Sequence, residues 1–142
     1  MAIWFQPLTA EALNLRSANT LAEFLDIQFT EIGEDTLTAT MPANARSKQP
    51  HGIVHGGANV VLAETVASTA ANCVIDLTHH HCVGLEINAN HIRPVREGLI
   101  TAVTRPVHIG RTTQVWHIDL FNQEGKISCV SRMTAAVVSR ER

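Results

Sequence analysis

Apolar and polar residues alternate along several stretches of the chain, which predicts β-strands that are buried on one face. Every second residue is apolar between Thr36 and Met41, and the same alternation runs from Val83 to Ala89. The segment from Asn122 to Gly125 is typical of a turn between two such stretches. Six strands are predicted in this way, at 27–32, 36–41, 83–90, 99–107, 113–121 and 126–138.

One long helix is predicted in the middle of the chain. Residues 58–75 contain no glycine or proline and are apolar almost all the way round, so this helix should be buried. The segment before it, 42–57, is rich in proline and glycine and is predicted to be a loop. A weak helix is predicted at 9–19, and Thr20-Leu21-Ala22-Glu23 matches a capping box that opens another short helix.

The order of these elements predicts the fold class. Two strands precede the long helix and four follow it, and runs of consecutive strands favour antiparallel pairing. An apolar helix also needs a sheet that curls around it. We therefore expect an α+β fold in which an antiparallel sheet wraps around one long buried helix. With 142 residues, 45% of them hydrophobic, the chain is expected to form one domain, residues 1–142.

Composition and charge argue against several functional classes. Eleven basic residues against 13 acidic ones, with 4% aromatic residues, favour no nucleic-acid partner. The most apolar stretch, 52–75, carries too many polar residues for a membrane span, and residues 1–13 lack the pattern of a signal peptide. Three cysteines without C-x-x-C spacing favour reduced thiols over a disulfide framework or a zinc site. We expect a cytoplasmic protein.

Glu64 is the most unusual charged residue in the sequence. It is the only formally charged residue between Lys48 and Asp76, and it lies inside the most apolar helix. Because burial of an unpaired carboxylate is costly, such a residue is usually paired, protonated or functional. Ser68 and Asn72 share its helix face. Two interpretations are open: a catalytic carboxylate, or a carboxylate that this polar stripe holds at a subunit interface.

The loop before the helix adds a second candidate group. His55-Gly56-Gly57 leads directly into the helix N-terminus, where backbone N–H groups are unpaired and the helix dipole is positive. Glycine lets a ligand approach this backbone closely, and such a site can stabilise the oxyanion that forms during acyl transfer. Glycines at a helix start are more often plain turn residues. It is the combination with Glu64 that favours chemistry.

The spacing of these two groups predicts a dimeric active unit. Glu64 follows Gly56 by eight residues, which corresponds to roughly 12 Å along a helix. A nucleophile or base and its oxyanion donor must meet within about 3 Å of one reacting atom. If both groups act on one carbonyl, Glu64 must therefore come from a second copy of the chain.

Several motifs resemble those of the hotdog-fold acyl-CoA thioesterases. The matching segments are Gln49-Pro50-His51-Gly52-Ile53-Val54-His55-Gly56-Gly57, Leu62-Ala63-Glu64, Val83-Gly84-Leu85-Glu86-Ile87-Asn88-Ala89-Asn90-His91 and Gln114-Val115-Trp116. The likeness extends from Trp4 to Val138, and the element order predicted above agrees with it. The branch that the chain resembles contains the 1,4-dihydroxy-2-naphthoyl-CoA hydrolases of menaquinone synthesis and the proofreading thioesterases of enterobactin synthesis.

The resemblance implies a role for individual residues. Glu64 would be the catalytic carboxylate, either as a nucleophile on the thioester carbonyl or as a general base on water. Gly56 would supply the oxyanion N–H, while Gln49 and His55 would position the thioester. Ser68 would lie beside the hydrolytic water. The positions implied in substrate and CoA binding are Gly84, His91, Ile92, Arg93, Pro94, His108, Ile109, Gly110, Arg111, Thr112 and Thr113.

The resemblance also implies partners. Its members usually assemble as a dimer of dimers with active sites at the dimer interface, and they act on acyl-CoA or on an acyl or aryl carrier protein. No metal or cofactor is expected, because a thioester is already activated. One position departs from the branch, since His51 stands where its members have Phe. His51 can alter the acyl preference, or it can be a rim residue without a role.

Other conspicuous residues carry weaker signals. His79-His80-His81 is interpreted as a solvated turn, because successive residues point in different directions and rarely share a metal ion. Arg93 can pair with a CoA phosphate or lie in water at a strand end. Gly110-Arg111-Thr112 could hold a pyrophosphate, although short turns of this kind are common. Trp4 and Trp116 are expected to serve packing.

The predicted function is hydrolysis of an aromatic acyl thioester, with 1,4-dihydroxy-2-naphthoyl-CoA preferred as substrate. The segment from Val83 to Asn90 carries that preference over the alternative, proofreading of misacylated aryl carrier protein in siderophore synthesis. A dehydratase of the same fold is less favoured, because its loop is typically proline-rich, unlike His55-Gly56-Gly57. A non-catalytic acyl-CoA-binding module is also less favoured, because Glu64 accompanies Gln49 and Gly56.

Overall fold

The computed structural model describes residues 1–140 and contains three helices and six strands in that range. The helices are α1 (Ala10–Leu15), α2 (Leu21–Phe24) and α3 (Gly56–Cys73). The strands are β1 (Gln28–Ile32), β2 (Leu37–Pro42), β3 (His80–His91), β4 (Leu99–Ile109), β5 (Thr113–Phe121) and β6 (Ile127–Ser139). Every strand predicted from alternation is present, with its ends shifted by at most three residues.

The six strands form one antiparallel sheet in the order β1-β2-β4-β5-β6-β3. Alternate residues of each central strand face inward: along β5, Trp116, Ile118 and Leu120 are fully buried while their neighbours are half-exposed. Within the described residues β3 is hydrogen-bonded to β6 on one side, so its other side is an edge of the sheet.

Helix α3 lies on the inner face of this sheet and contacts β2 through β6. Its buried positions are mostly small, and Ala63, Ala67 and Ala70 are fully buried, so the helix backbone can approach the sheet closely. The expected α+β hotdog architecture, a sheet wrapped around one long helix, is confirmed. No helix among residues 1–140 is long and apolar enough to cross a membrane.

Two local predictions need correction. The reciprocal capping box at α2 does not form: the Thr20 hydroxyl donates to the Ser17 carbonyl at 2.6 Å, and the Glu23 carboxylate accepts from the Asn19 N–H at 3.1 Å. Asn19 adopts a left-handed φ of 63°, and its N–H takes the place of the Thr20 N–H at the carboxylate. The triple histidine is a turn at His79 alone, since β3 already begins at the next residue.

Candidate active site

The N-terminus of α3 presents one unpaired backbone donor. His55 caps the helix: its Nδ1 accepts from the Gly57 N–H at 2.8 Å, and its carbonyl accepts from the N–H groups of Ala58 at 2.9 Å and Asn59 at 3.2 Å. Within residues 1–140 the remaining N–H of this turn, that of Gly56, has no acceptor. Gly56 is therefore a free donor at the positive end of the helix dipole.

Gln49 belongs to a tight loop that faces this helix end. Its backbone N–H donates to the Ile53 carbonyl at 2.9 Å, and its carbonyl accepts from the Gly52 N–H at 2.9 Å. Gly52 has a φ of 82°, a left-handed conformation that favours glycine. The side-chain oxygen of Gln49 accepts a hydrogen bond from the His51 N–H. Because that oxygen is occupied, the amide NH₂ group of Gln49 is the part available to a ligand.

These groups line one cavity of about 290 Å³ at the start of α3. The structure brings several of the predicted residues together here, and the lining consists of Gln49, Ile53, Val54, Gly56, Asn59, His91, Ile92, Arg93, Pro94 and Val95. His91 ends β3 and approaches the helix so closely that a Cβ atom on Gly56 would lie 2.9 Å from its Nε2. Arg93 donates to the Ile127 carbonyl at 2.6 Å and is otherwise exposed.

Glu64 lies two turns further along α3, and it is exposed rather than buried. The expectation that this helix is buried all round is wrong at Glu64, because the sheet covers the opposite face of the helix, where Leu62 and Val66 lie. The carboxylate rests against the edge strand: a Cβ atom on Gly84 would lie 2.8 Å from Glu64 Oε2. Glycine at position 84 therefore leaves the space that the carboxylate occupies.

The polar stripe of Ser68 and Asn72, on the same helix face as Glu64, forms structural hydrogen bonds. The Asn72 amide donates to the Ser68 carbonyl at 2.9 Å, and its oxygen accepts from the Cys82 N–H at 2.9 Å, which ties α3 to the start of β3. Burial raises the pKa of the Cys82 thiol to about 11. This thiol stays protonated at neutral pH and is a poor nucleophile.

A second cavity, of about 390 Å³, lies between α3 and the two N-terminal helices. Eight of its twelve lining residues are polar or charged, and the full set is Leu13, Arg16, Ser17, Thr20, Ala22, Phe29, Thr65, Ser68, Thr69, Asn72, Leu77 and Arg140. Ser68 stands one helical turn from Glu64, so this cavity begins next to the carboxylate. It offers hydroxyl and amide groups as well as apolar walls to a group placed there.

The remaining predicted residues, His108 to Thr113, form the end of β4 and the turn into β5. The turn is closed by the Gly110 N–H, which donates to the Thr113 carbonyl at 2.9 Å. Through the sheet register Thr113 lies beside Ala136, and Ala136 beside Val83. This turn is therefore at the Glu64 end of β3.

The structure thus divides the predicted residues into two groups at opposite ends of β3. Helix α3 and strand β3 run in opposite directions, so that Gly56 meets His91 and Glu64 meets Gly84. The uninterrupted helix separates Gly56 from Glu64 by about 12 Å along its axis. Within one chain, Gly56 and Glu64 do not face a common reacting atom.

Sequence reasoning missed Asn59. This residue is only 6% exposed, and its amide nitrogen lies 3.3 Å from His91 Nδ1. Its position two residues after a glycine pair, at the start of an apolar helix, was the available signal, since a polar side chain there must be buried near the loop. The contact of Asn59 with His91 on β3 could not be predicted from the sequence.

No group of three or more His, Cys, Asp or Glu side chains among residues 1–140 is arranged to hold a metal ion.

Comparison with known proteins identifies the family of the chain and the type of reaction. Residues 51–129 match the model of the Thioesterase superfamily. The 1,4-dihydroxy-2-naphthoyl-CoA hydrolase of Escherichia coli (strain K12) is 48% identical over 96% of this chain and 99% of its own length. The proofreading thioesterase EntH of Cronobacter turicensis is 43% identical over 96% and 98%.

The solved structures agree in fold over nearly the whole chain. The crystal structure of a mutant thioesterase, PA1618 (Q49A) from Pseudomonas aeruginosa, gives a TM-score of 0.97 at 45% identity, and covers 98% of this chain and 100% of that one. The thioesterase HI1161 from Haemophilus influenzae gives a TM-score of 0.94 at 44% identity, over 96% and 95%. This chain belongs to the Thioesterase superfamily and is a thioester hydrolase with the hotdog fold.

Proposed function

We propose that this enzyme hydrolyses an aromatic acyl-CoA thioester and that 1,4-dihydroxy-2-naphthoyl-CoA is its substrate. The observation that carries the proposal is the 48% identity with the E. coli hydrolase along almost the entire chain. The polar cavity beside Ser68 supports it, because the hydroxyl groups of such an acyl group need hydrogen-bond partners once they leave water. We also propose that the reaction takes place in the cytoplasm.

The two groups of residues have complementary tasks in this proposal. The free N–H of Gly56 and the amide NH₂ of Gln49 hold the carbonyl oxygen of the thioester, and the dipole of α3 stabilises the negative charge that develops there. Glu64 removes a proton from the attacking water, or attacks the carbonyl carbon itself. In the first route water forms the new C–O bond and the C–S bond breaks. In the second, Glu64 displaces the thiolate to form a mixed anhydride, which water then hydrolyses to free the carboxylate. Both routes give a carboxylic acid, and the leaving thiolate takes up a proton.

The active unit in this proposal is a homodimer formed through β3. The free edge of β3 carries Val83 and Leu85, which are 40% and 64% exposed, and such an edge readily pairs with another strand. In an antiparallel pair with its twofold axis between Ile87 and Asn88, Gly84 lies opposite His91 of the partner subunit, since both are equally far from the axis. That pairing joins the Glu64 end of one chain to the Gly56 end of the other. A dimer of dimers would contain two such units.

A second candidate function is the release of misacylated aryl carrier protein. The 43% identity with the EntH proofreading thioesterase, over 96% of the chain, favours it. The catalytic step is the same in both functions, since a carrier protein and CoA present the same phosphopantetheine thioester. The two functions differ in the surface that meets the carrier, so they are separated by a comparison of substrates.

Thiol release should be fastest with 1,4-dihydroxy-2-naphthoyl-CoA when it is compared with 2,3-dihydroxybenzoyl carrier protein and lauroyl-CoA.

Glu64→Ala should lower kcat by about 10²–10⁴-fold, the usual contribution of a general base, without loss of folding. Glu124→Ala, in the exposed turn between β5 and β6, is the matched control and should retain activity. A carrier-protein preference would favour proofreading, and full activity in Glu64→Ala would contradict the mechanism.

Gly56→Pro should lower kcat by about 10²–10³-fold, because it deletes the free N–H that holds the oxyanion. Proline suits the first position of a helix, and His55 already has the extended backbone, φ −63° and ψ 134°, that a residue before proline requires. Gly56→Ala is the control, since it brings the same Cβ atom near His91 and keeps the N–H. Equal kcat values for the two variants would argue against the N–H as the oxyanion donor.

Mixing two inactive variants tests the shared site. When Glu64→Ala and Gly56→Pro chains associate at random, half of the dimers contain one chain of each variant. In such a dimer, Gly56 of the first chain and Glu64 of the second form one intact site, while the other site lacks both groups. Co-expression should therefore restore about one quarter of the wild-type activity per subunit pair. Activity that stays at the level of the separate variants, in a preparation where mixed dimers are shown by mass spectrometry, would place both groups in one chain.

A further inference from the structure

The cavity at the start of α3 contains a buried polar side chain that the proposed mechanism does not use. Asn59 lies in the first turn of α3, lines the cavity and is 6% exposed. Its amide nitrogen is 3.3 Å from His91 Nδ1. Within the described part of the chain its amide oxygen is buried and has no hydrogen-bond partner.

An apolar residue of similar size would fill this place without leaving an orphaned oxygen. An unpaired buried acceptor is destabilising, so packing alone does not account for an asparagine here. The contact with His91 accounts for it. His91 comes from a different element, the last residue of β3, and this contact is the link between its ring and the helix.

The direction of this contact determines the state of the histidine ring. A carboxamide NH₂ group can only donate, so Nδ1 of His91 must be the acceptor and carries no proton. A neutral imidazole has one N–H, which is then on Nε2. Among the ring atoms of His91, Nε2 lies nearest to the position that a Cβ atom on Gly56 would take, at 2.9 Å, compared with 3.3 Å for Cε1.

We propose that Asn59 is a positioning residue that holds His91 in the Nε2–H tautomer, so that the ring adds a third hydrogen-bond donor to the Gly56 N–H and the Gln49 amide. The ligand of this donor is the carbonyl oxygen of the thioester, which gains negative charge during hydrolysis. This inference deepens the proposed function and rests on it for the identity of the ligand. The tautomer itself does not depend on that function.

The tautomer can be measured directly. Long-range ¹⁵N–¹H NMR spectra of the protein with ¹⁵N-labelled histidine distinguish a protonated ring nitrogen from an acceptor, and the His91 signals are identified by their disappearance in His91→Gln. We expect a protonated Nε2 and an acceptor Nδ1 in the wild-type protein. In Asn59→Asp, whose carboxylate can only accept, Nδ1 should become protonated. A wild-type His91 with its proton on Nδ1 would overturn the proposal.

Kinetics then test whether the tautomer matters. Asn59→Asp should lower kcat by about 10²-fold with little change in KM, the loss typical of a missing oxyanion donor. Asn122→Asp is the matched control: it adds the same charge in the turn between β5 and β6, where an aspartate oxygen can still accept from the Glu124 and Lys126 N–H groups, and it should leave kcat near its wild-type value. In the His91→Gln background, where the glutamine amide replaces the donor, Asn59→Asp should have no further effect.

The possible failures are distinguishable. An Nε2–H tautomer in a protein that hydrolyses none of the thioesters would count against the proposed function and leave the role of Asn59 in holding the ring intact. A changed tautomer in Asn59→Asp with unchanged kcat would overturn the role of His91 as a donor to the carbonyl oxygen. If Asn59→Asp does not fold, as judged by circular dichroism, the wild-type tautomer still decides, and Asn59→Leu takes its place in the kinetics.

Discussion

Helix α3 sets the distance between Gly56 and Glu64, the two groups that act on one carbonyl in the proposed mechanism. It runs without interruption from Gly56 to Cys73, packed through fully buried alanines against the sheet. Its hydrogen-bonded backbone sets an axial distance of about 12 Å between Gly56 and Glu64, and no side-chain rotation closes that gap. The proposed dimer, the placement of the cavity residues and the division of labour between subunits all follow from this one distance.

The edge position of β3 complements that constraint. A strand in the middle of the sheet has both of its sides hydrogen-bonded to neighbouring strands, whereas β3 has one side free among the described residues. Two glycines adjust the contacts along it: position 84 makes room for the Glu64 carboxylate, and position 56 makes room for the His91 ring. Small residues at these two contacts let reactive groups approach backbone, which larger side chains would prevent.

The sequence predicts the parts of this structure that depend on local pattern. Alternation located all six strands, and the apolar run located α3, because burial on one face or all round leaves a periodic trace. The distance argument from Gly56 to Glu64 also needed only helix geometry. The resemblance to known thioesterases then supplied roles that spacing alone left open.

Other features depend on long-range contacts and were not predictable. The exposure of Glu64 follows from which face of α3 the sheet covers, and an almost wholly apolar helix does not reveal that face. The capping box failed because the backbone of Asn19 is left-handed, a conformation that the four-residue motif does not encode. The contact of Asn59 could not be predicted, because its partner His91 lies 32 residues further along the chain and only the fold brings the two together.

The most direct test of the shared site is a crystal structure of the enzyme with a non-hydrolysable analogue of its acyl-CoA substrate. The account predicts that the carbonyl oxygen of the analogue lies about 2.7–3.1 Å from the Gly56 nitrogen of one subunit. It also predicts that the Glu64 carboxylate nearest to the carbonyl carbon, at about 3–3.5 Å or through one water molecule, belongs to the other subunit. A ligand whose carbonyl meets Gly56 and Glu64 of the same chain would contradict the account.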